Sequence, residues 1–373
     1  IRECGGLTYL INFLENINSN QSKNLKITVY INKSAALLIP KKKWLVIKTP
    51  RLFNLPLPIR FFYQQFFLSK KINKDNYHLL FSPGGTIPFF CKLPTVSISQ
   101  NLLPFEFKEA RLFGNFNKMF FKMLLLRFIQ SISFKKASGV IFLSNYAMKI
   151  IKNSLHSKIV NKALIPHGVD SNFFHKPRPQ KNIKEYGVKK PFKFIYTSTL
   201  MPYKHQVEVI KAIHNLRKKG YPINITLLGI PWRKYANKVF FLAEKVDPKK
   251  DFIKFIDYVP NKNLPLIYRK YDAAIFASSC ENLPITLLEN MASGLPIVSS
   301  KLGPMIEVLG KGGIYFDPYN IKSIENAIQK LILNSSNRFK LASLSYKMAK
   351  KYSWSKNSKN TLEFFKKIIN EKS

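Results

Sequence analysis

The chain has 373 residues and a formal charge of +41, from 61 Lys and Arg against 20 Asp and Glu, with 46% hydrophobic residues. That length accommodates two α/β domains with full cores, and the apolar content fits a globular protein. The three cysteines (Cys4, Cys91, Cys280) are odd in number and widely spaced, which argues against a disulfide framework or a zinc site and for a reducing compartment.

The charge excess is lysine, 51 Lys to 10 Arg, spread along the chain. Guanidinium is the group suited to bidentate phosphate and base-edge contacts, so its scarcity argues against a nucleic-acid partner. Solvated lysine faces and contact with an anionic membrane surface both remain open. No uncharged apolar run is long enough to span a bilayer, and no signal peptide is visible.

In chain order, IRECGGLTYLINFLENI opens with Gly5-Gly6 and an apolar-periodic helix. ITVYI (Ile27 to Ile31), WLVIKT (Trp44 to Thr49), LLFSPGG (Leu79 to Gly85), TVSISQN (Thr95 to Asn101) and GVIFLS (Gly139 to Ser144) read as strands with helical stretches between. Gly84-Gly85, like Gly5-Gly6, lets backbone approach a ligand. Alternation of this kind predicts a parallel, doubly wound sheet. LPIRFFYQQFFLSKKI (Leu57 to Ile72) is aromatic and basic. RLFGNFNKMFFKMLLLRFIQ (Arg111 to Gln130) reads as one amphipathic helix. Arg111, Asn115, Lys118 and Lys122 form its polar stripe, and Leu112, Phe113, Phe116, Met119, Phe120, Met123 and Leu124 its apolar face. Both segments suit either packing on the N-terminal sheet or an interfacial position on a membrane.

From Lys176 to Lys193 the composition turns to Pro, Lys and polar residues, which marks the domain boundary. FKFIYTS (Phe192 to Ser198) then restarts the alternation. The three domains expected are residues 1–178, residues 190–350 and a terminal helix over 351–373.

SSCENLPITLLENMASGLPIVSS (Ser278 to Ser300) holds two carboxylates, Glu281 and Glu289, with seven residues between them. Asn282 is placed to cap a helix, Pro284 suits its first turn, Gly294 ends it, and Leu295 to Val298 reads as a buried strand. The unit aims a helix N-terminus, with unpaired amides and a positive dipole end, at a cleft where an anion such as a diphosphate fits.

That segment resembles the donor-site signature of retaining glycosyltransferases of the GT-B fold, family 4. IPHGVDSNFF (Ile165 to Phe174), TSTLMPYKHQVEVIKAI (Thr197 to Ile213), LLGI (Leu227 to Ile230), DYVPNKNLPLIYRKYDAAIFASSCE (Asp257 to Glu281) and Gly312-Gly313 follow in the family's order. The resemblance implies two Rossmann-like domains facing across a cleft, and a terminal helix that crosses back to the first. It also implies a first strand ahead of Gly5-Gly6 that this sequence lacks.

By resemblance, Lys204 holds the donor diphosphate, helped by His205 and by the backbone amides of Asn282 and Leu283, with Pro284 lining the same binding region. Thr199 stands where the family usually has Arg, and Gly229 lies in the same binding region. Glu289 accepts hydrogen bonds from the ribose hydroxyls, and Glu281 meets the donor sugar. The family's N-domain His is replaced here by Gln100 and Asn101, which can still hydrogen-bond sugar hydroxyls. His167 reads as a turn residue near a hinge.

The implied reaction moves a sugar from a nucleoside-diphosphate sugar to a glycan or lipid-linked saccharide, with retention, in cell-surface polysaccharide or lipopolysaccharide synthesis. No metal and no further cofactor is expected. The place expected is the cytoplasm, peripheral to the inner face of the membrane. Two alternatives are another GT-B enzyme, such as a nucleotide-sugar epimerase, and a non-catalytic basic membrane- or nucleic-acid-binding protein on this scaffold.

Overall fold

Two apolar runs seed the second half of the molecule. Phe192, Phe194, Ile195 and Tyr196 are almost wholly buried, as are all four residues of Ala273–Phe276. Runs apolar on both faces fit strands covered by helices on both sides, and they form the centre of a parallel sheet. In this computed structural model the described residues are 5–114, 117–156 and 159–371. They divide into two compact units: Ile1–Phe105, Lys118–Gly168 and Ser353–Ser373 form one, and Glu106–Asn117 with Val169–Tyr352 the other.

In the first unit β1 (Ile27–Tyr30) pairs with β2 (Leu45–Lys48). β3 (Leu80–Ser82), β4 (Thr95–Ile98), β5 (Gly139–Phe142) and β6 (Lys162–Leu164) form a second sheet in that order, all parallel. The helix Gly5–Glu15 begins at the glycine pair. It packs on the terminal helix Trp354–Asn370: the Ser358 hydroxyl donates to the Phe13 carbonyl at 2.9 Å, and the Tyr9 and Thr361 hydroxyls lie 3.2 Å apart. Gly139 needs its missing side chain, because a Cβ there would lie 2.8 Å from the Phe364 ring. His167 is buried between the Tyr9 and Trp354 rings, each 5.3 Å away. Burial holds its pKa down to about 3, so it is a neutral core residue.

The second unit holds one six-stranded parallel sheet, in the order β12-β11-β10-β7-β8-β9. Its strands are β7 (Phe192–Thr197), β8 (Ile223–Leu228), β9 (Ile253–Ile256), β10 (Ala273–Phe276), β11 (Ile297–Ser300) and β12 (Gly313–Phe316). From β7 the chain winds outward to β8 and β9, then returns to β10 and winds the other way. The switch point therefore falls between β7 and β10, which pair directly, and the crevice at their carboxyl ends is where such sheets bind ligands.

Several expectations change. The Lys176–Lys193 stretch is bound to the second unit. Arg178 donates to the Arg269 carbonyl at 2.8 Å and pairs with Asp272, and the Tyr186 hydroxyl donates to Asp272 at 3.2 Å. The division between units falls earlier, at Gly168. Arg111 to Gln130 is two helices, Phe107–Arg111 and Lys118–Lys136, parted by a turn in which Gly114 has φ +110°. Asn115 and Phe116 lie outside the described residues, as does Cys4. In the longer helix Met123 is buried, but Phe121, Leu125 and Phe128 share the exposed side with Lys118 and Lys122. Cys91 and Cys280 are unpaired thiols.

Candidate active site

The site of the second unit is built by the two strands at the switch point. After β7 the chain makes a turn at Pro202–Lys204, and His205 adopts left-handed backbone, φ 53°, before the helix Gln206–Lys218 begins. A non-glycine residue there is uncommon, though His is among the more tolerant types. Two features hold it. The Tyr196 hydroxyl donates to the Lys204 carbonyl at 2.7 Å, and His205 Nε2 lies 2.9 Å from Ser279 Oγ.

After β10 the loop Ala277–Leu283 carries Glu281, and its carboxylate receives the Lys204 ammonium in a direct ion pair. Both side chains are mostly buried, at 11% and 16% exposed. Burial opposes the charge on Lys204, but the neighbouring Glu281 outweighs it, and its pKa is raised. The pair thus presents a fixed cation and a fixed acceptor at the switch point. Beside it, burial and nearby carboxylates push the Cys280 thiol well up, so Cys280 is an inert core residue rather than a nucleophile.

Glu289 lies on the helix Ile285–Ala292 and is only 3% exposed. It accepts from Asn261 Nδ2 and from the Tyr268 hydroxyl, each at 3.3 Å. Burial is the main influence and lifts its pKa to about 7, against those two hydrogen bonds. This buried carboxyl is only weakly held by its protein partners.

The helix starts at Ile285 with Pro284 as its cap position and no side-chain cap bond. Asn282 is therefore not the cap. The reason is local: a residue preceding proline is driven from helical to extended backbone, so Leu283 cannot begin the helix. Leu283 and Pro284 are buried. Gly294 does close the element, at φ +67°. Gly229 has φ +152°, and a Cβ there would meet the Ser198 carbonyl oxygen at 2.1 Å, so its first role is to let β8 leave the sheet beside β7. The Thr199 carbonyl accepts from Gln206 Nε2 at 3.0 Å, which makes it part of the turn that positions Lys204.

The other candidates belong to the first unit. Gly5 and Gly6 open their helix against the carboxyl ends of β3 and β4: a Cβ on Gly5 would lie 3.4 Å from Gln100 Oε1, and one on Gly6 3.5 Å from the Pro83 carbonyl. Gln100 Nε2 is buried with no hydrogen-bond partner among the described residues. Asn101 Oδ1 accepts from Leu103 N at 3.2 Å, which makes it first of all a turn former.

Glu109 was not legible as a site residue. The Phe107–Arg111 helix carries it into the second unit, where it is 5% exposed. There it accepts from the Ser279 hydroxyl and, at 2.7 Å, from the Tyr319 hydroxyl. Ser279 in turn touches His205, so Glu109, Ser279 and His205 form one buried array beside Lys204. The only sequence trace is that Glu106 and Glu109 are the sole acids between Asp75 and Asp170. Among the described residues no group of three His, Cys, Asp or Glu side chains forms a metal-binding cluster.

Comparison with known proteins agrees with this fold. Residues 179–352 match the family described as Glycosyl transferases group 1. The O-antigen chain mannosyltransferase B of Escherichia coli is 24% identical over 175 residues, 46% of this chain and 45% of that protein. The chain spans about half the length of the curated relatives it matches. Among solved structures, sucrose-phosphate synthase of Thermosynechococcus elongatus superposes with a TM-score of 0.75 at 13% identity, over 96% of this chain and 92% of that one. Anabaena HepE in complex with UDP-glucose superposes with a TM-score of 0.72 at 17% identity, over 97% and 95%. The protein has the GT-B fold, and residues 179–352 of its second unit are similar to the glycosyl transferases group 1 family.

Proposed function

We propose that the chain transfers a hexose from a nucleoside-diphosphate sugar to a glycan or lipid-linked saccharide acceptor, with retention of configuration. The observation that carries this reading is the Lys204–Glu281 pair at the switch point, one helix away from the buried, weakly satisfied Glu289. A ribose diol offers two hydroxyl donors, and the two carboxylate oxygens of Glu289 suit them. The donor diphosphate displaces Glu281 from Lys204 and takes that ammonium together with the backbone amides of Asn282 and Leu283. Glu281 is then free for hydroxyls of the donor sugar. Those groups offset the phosphate charge, so no metal is assigned a role.

In a retaining transfer of this kind the acceptor hydroxyl attacks on the face the diphosphate leaves, and the departing phosphate takes its proton. The protein's task is to stabilise charge on the leaving group and to hold geometry. Gln100 and Asn101 are assigned as amide hydrogen-bonding groups toward sugar hydroxyls. The orphaned Gln100 Nε2 supports that assignment, with Gly5 and Gly6 giving close backbone approach beside it. The mannosyltransferase relative and the UDP-glucose complex of HepE support a hexose donor. We place the chain in the cytoplasm, peripheral to the membrane that would hold a lipid-linked acceptor, in synthesis of a cell-surface polysaccharide. No helix among the described residues is long and apolar enough to cross that membrane.

The test is release of nucleoside diphosphate from a panel of sugar donors, with the anomeric configuration of the product read by proton NMR. Lys204→Ala and Glu289→Gln should each suppress release by about tenfold or more, since each removes a charge-assisted contact. Unchanged turnover in both variants would sink the site assignment, and an inverted product would sink retention alone.

A further inference from the structure

We infer that a ridge of four phenylalanines, Phe62, Phe66, Phe67 and Phe90, is a docking surface that seats the first unit on an anionic bilayer. The inference deepens the proposed peripheral location and rests on it only for its purpose, not for its geometry.

The ridge is built by the backbone. The helix Leu57–Tyr63 continues through one π turn, Gln64–Leu68, into Ser69–Lys74. Such a turn holds one residue more than an α turn. Here it lets the successive residues Phe66 and Phe67 face outward together while Gln65 and Leu68 stay buried. Phe62 lies 4.6 Å from Phe66 and 6.3 Å from Phe67, and Phe66 lies 5.1 Å from Phe90, centroid to centroid. The four rings are 41–58% exposed.

Side chains hold the ridge in place. Gln65 Oε1 accepts from Phe89 N at 2.7 Å, and Gln65 Nε2 donates to the Ile87 carbonyl. Asn73 donates to the Phe90 carbonyl at 3.0 Å and accepts from Lys92 N at 2.9 Å. Polar groups are thus used to hold four large apolar rings in water, a poor arrangement for a surface that only meets solvent.

Charge selects the occupant. No Asp or Glu falls between Glu15 and Asp75, a stretch with twelve Lys and Arg. Lys70, Lys71, Lys74 and Lys92 are exposed on the segments that carry the rings, and Asp75 is paired with Lys48. Aromatic rings within a rim of lysine and no free acid match the interface of an anionic membrane, where rings enter the headgroup boundary and each lysine adds attraction. The Lys118–Lys136 helix of the same unit repeats the composition on its outer side, with Phe121, Leu125 and Phe128 exposed beside Lys118 and Lys122.

The experiment is co-sedimentation of the full chain with phosphatidylcholine vesicles, with and without phosphatidylglycerol. It is repeated with Phe62→Ser/Phe66→Ser/Phe67→Ser. Wild type should partition onto the anionic vesicles, and the triple variant should bind about tenfold more weakly or worse. Phe67→Trp, which leaves packing nearly unchanged, should gain a blue-shifted emission component on anionic vesicles only. Three results would overturn the inference: no binding by wild type, undiminished binding by the triple variant, or a ridge-dependent dimer without vesicles. If the triple variant does not fold, an absent shift in Phe67→Trp overturns it. Binding of sugar nucleotides is measured separately on the same samples, so absence of vesicle binding by wild type with donor binding intact condemns the ridge and not the glycosyl-transfer reading.

Discussion

Glu289→Gln should trade function for stability, and the size of the trade follows from burial. The carboxyl is 3% exposed, and its pKa rises from 4.5 to about 7 on folding. A raised carboxyl pKa means that the folded state binds the proton more tightly than the unfolded chain. Its contribution is therefore most favourable at or below the unfolded pKa, declines as pH rises above it, and is fully lost above the folded value. The full shift corresponds to about 3 kcal/mol of penalty on the ionised form. Glutamine is neutral at every pH and fills the same space. It can still accept one hydrogen bond from Asn261 or Tyr268, so a constant loss of about 1 kcal/mol is expected from the other. The stability of the variant relative to wild type should then improve by about 2 kcal/mol between about pH 5.5 and about pH 8.5. Urea unfolding of both proteins at those two pH values measures this, and donor binding by the variant should be weakened throughout. A stability difference that is flat with pH would refute the reasoning, because it would mean Glu289 is ionised at no cost in the folded protein.

Other outcomes follow from single contacts. His167, neutral between Tyr9 and Trp354 with its pKa held down to about 3, favours folding above its unfolded value; that contribution is lost as pH falls below about 6.5, by about 1.4 kcal/mol per unit. His167→Phe should flatten the acid side of a melting-temperature profile, and an unaltered profile would contradict its burial as a neutral group. Gly229→Ala puts a Cβ 2.1 Å from the Ser198 carbonyl and should cost about 3 kcal/mol or more by thermal unfolding; a neutral effect would mean the β7 and β8 ends are wrongly joined. Glu109→Ala leaves the Ser279 and Tyr319 hydroxyls without their carboxylate, a loss of about 2–3 kcal/mol. It should speed tryptic cleavage at the exposed Lys108 and Arg111, and an unchanged cleavage rate would mean that the Glu109 contacts do not hold the Phe107–Arg111 helix.

Much of the second unit was legible because its signals are local. β10 and the Leu295 to Val298 run into β11 are buried and apolar, β7 is so apart from Lys193 and Thr197, and Lys204 and Glu289 sit one turn or one helix beyond them. What was missed depends on contacts distant in sequence or on backbone detail. Glu109 lies 170 residues from Ser279, and no period links the two. β6 (Lys162–Leu164) is a three-residue edge strand with two exposed positions, too short and too polar to register. The amphipathic helix expected from Arg111 onward was drawn through Gly114, whose φ of +110° interrupts it. Within the longer helix the assigned faces lie as expected, with Met123 buried and Lys118 and Lys122 exposed, but Phe121, Leu125 and Phe128 join the lysines outside. Periodicity tells which residues share a side and not that the solvent side is polar. Asn282 had the chemistry of a cap, but the proline two residues later fixed the helix start beyond its reach.

The central claim is that the Lys204, Glu281 and Glu289 constellation holds a nucleoside-diphosphate sugar. Saturation-transfer NMR of the purified chain against UDP-, GDP-, dTDP- and ADP-sugars tests it most directly. The account predicts selective saturation of one donor, with ribose and sugar protons both in contact, and loss of that signal in Glu289→Gln. Saturation of no donor, or of one that Glu289→Gln retains unchanged, would contradict it.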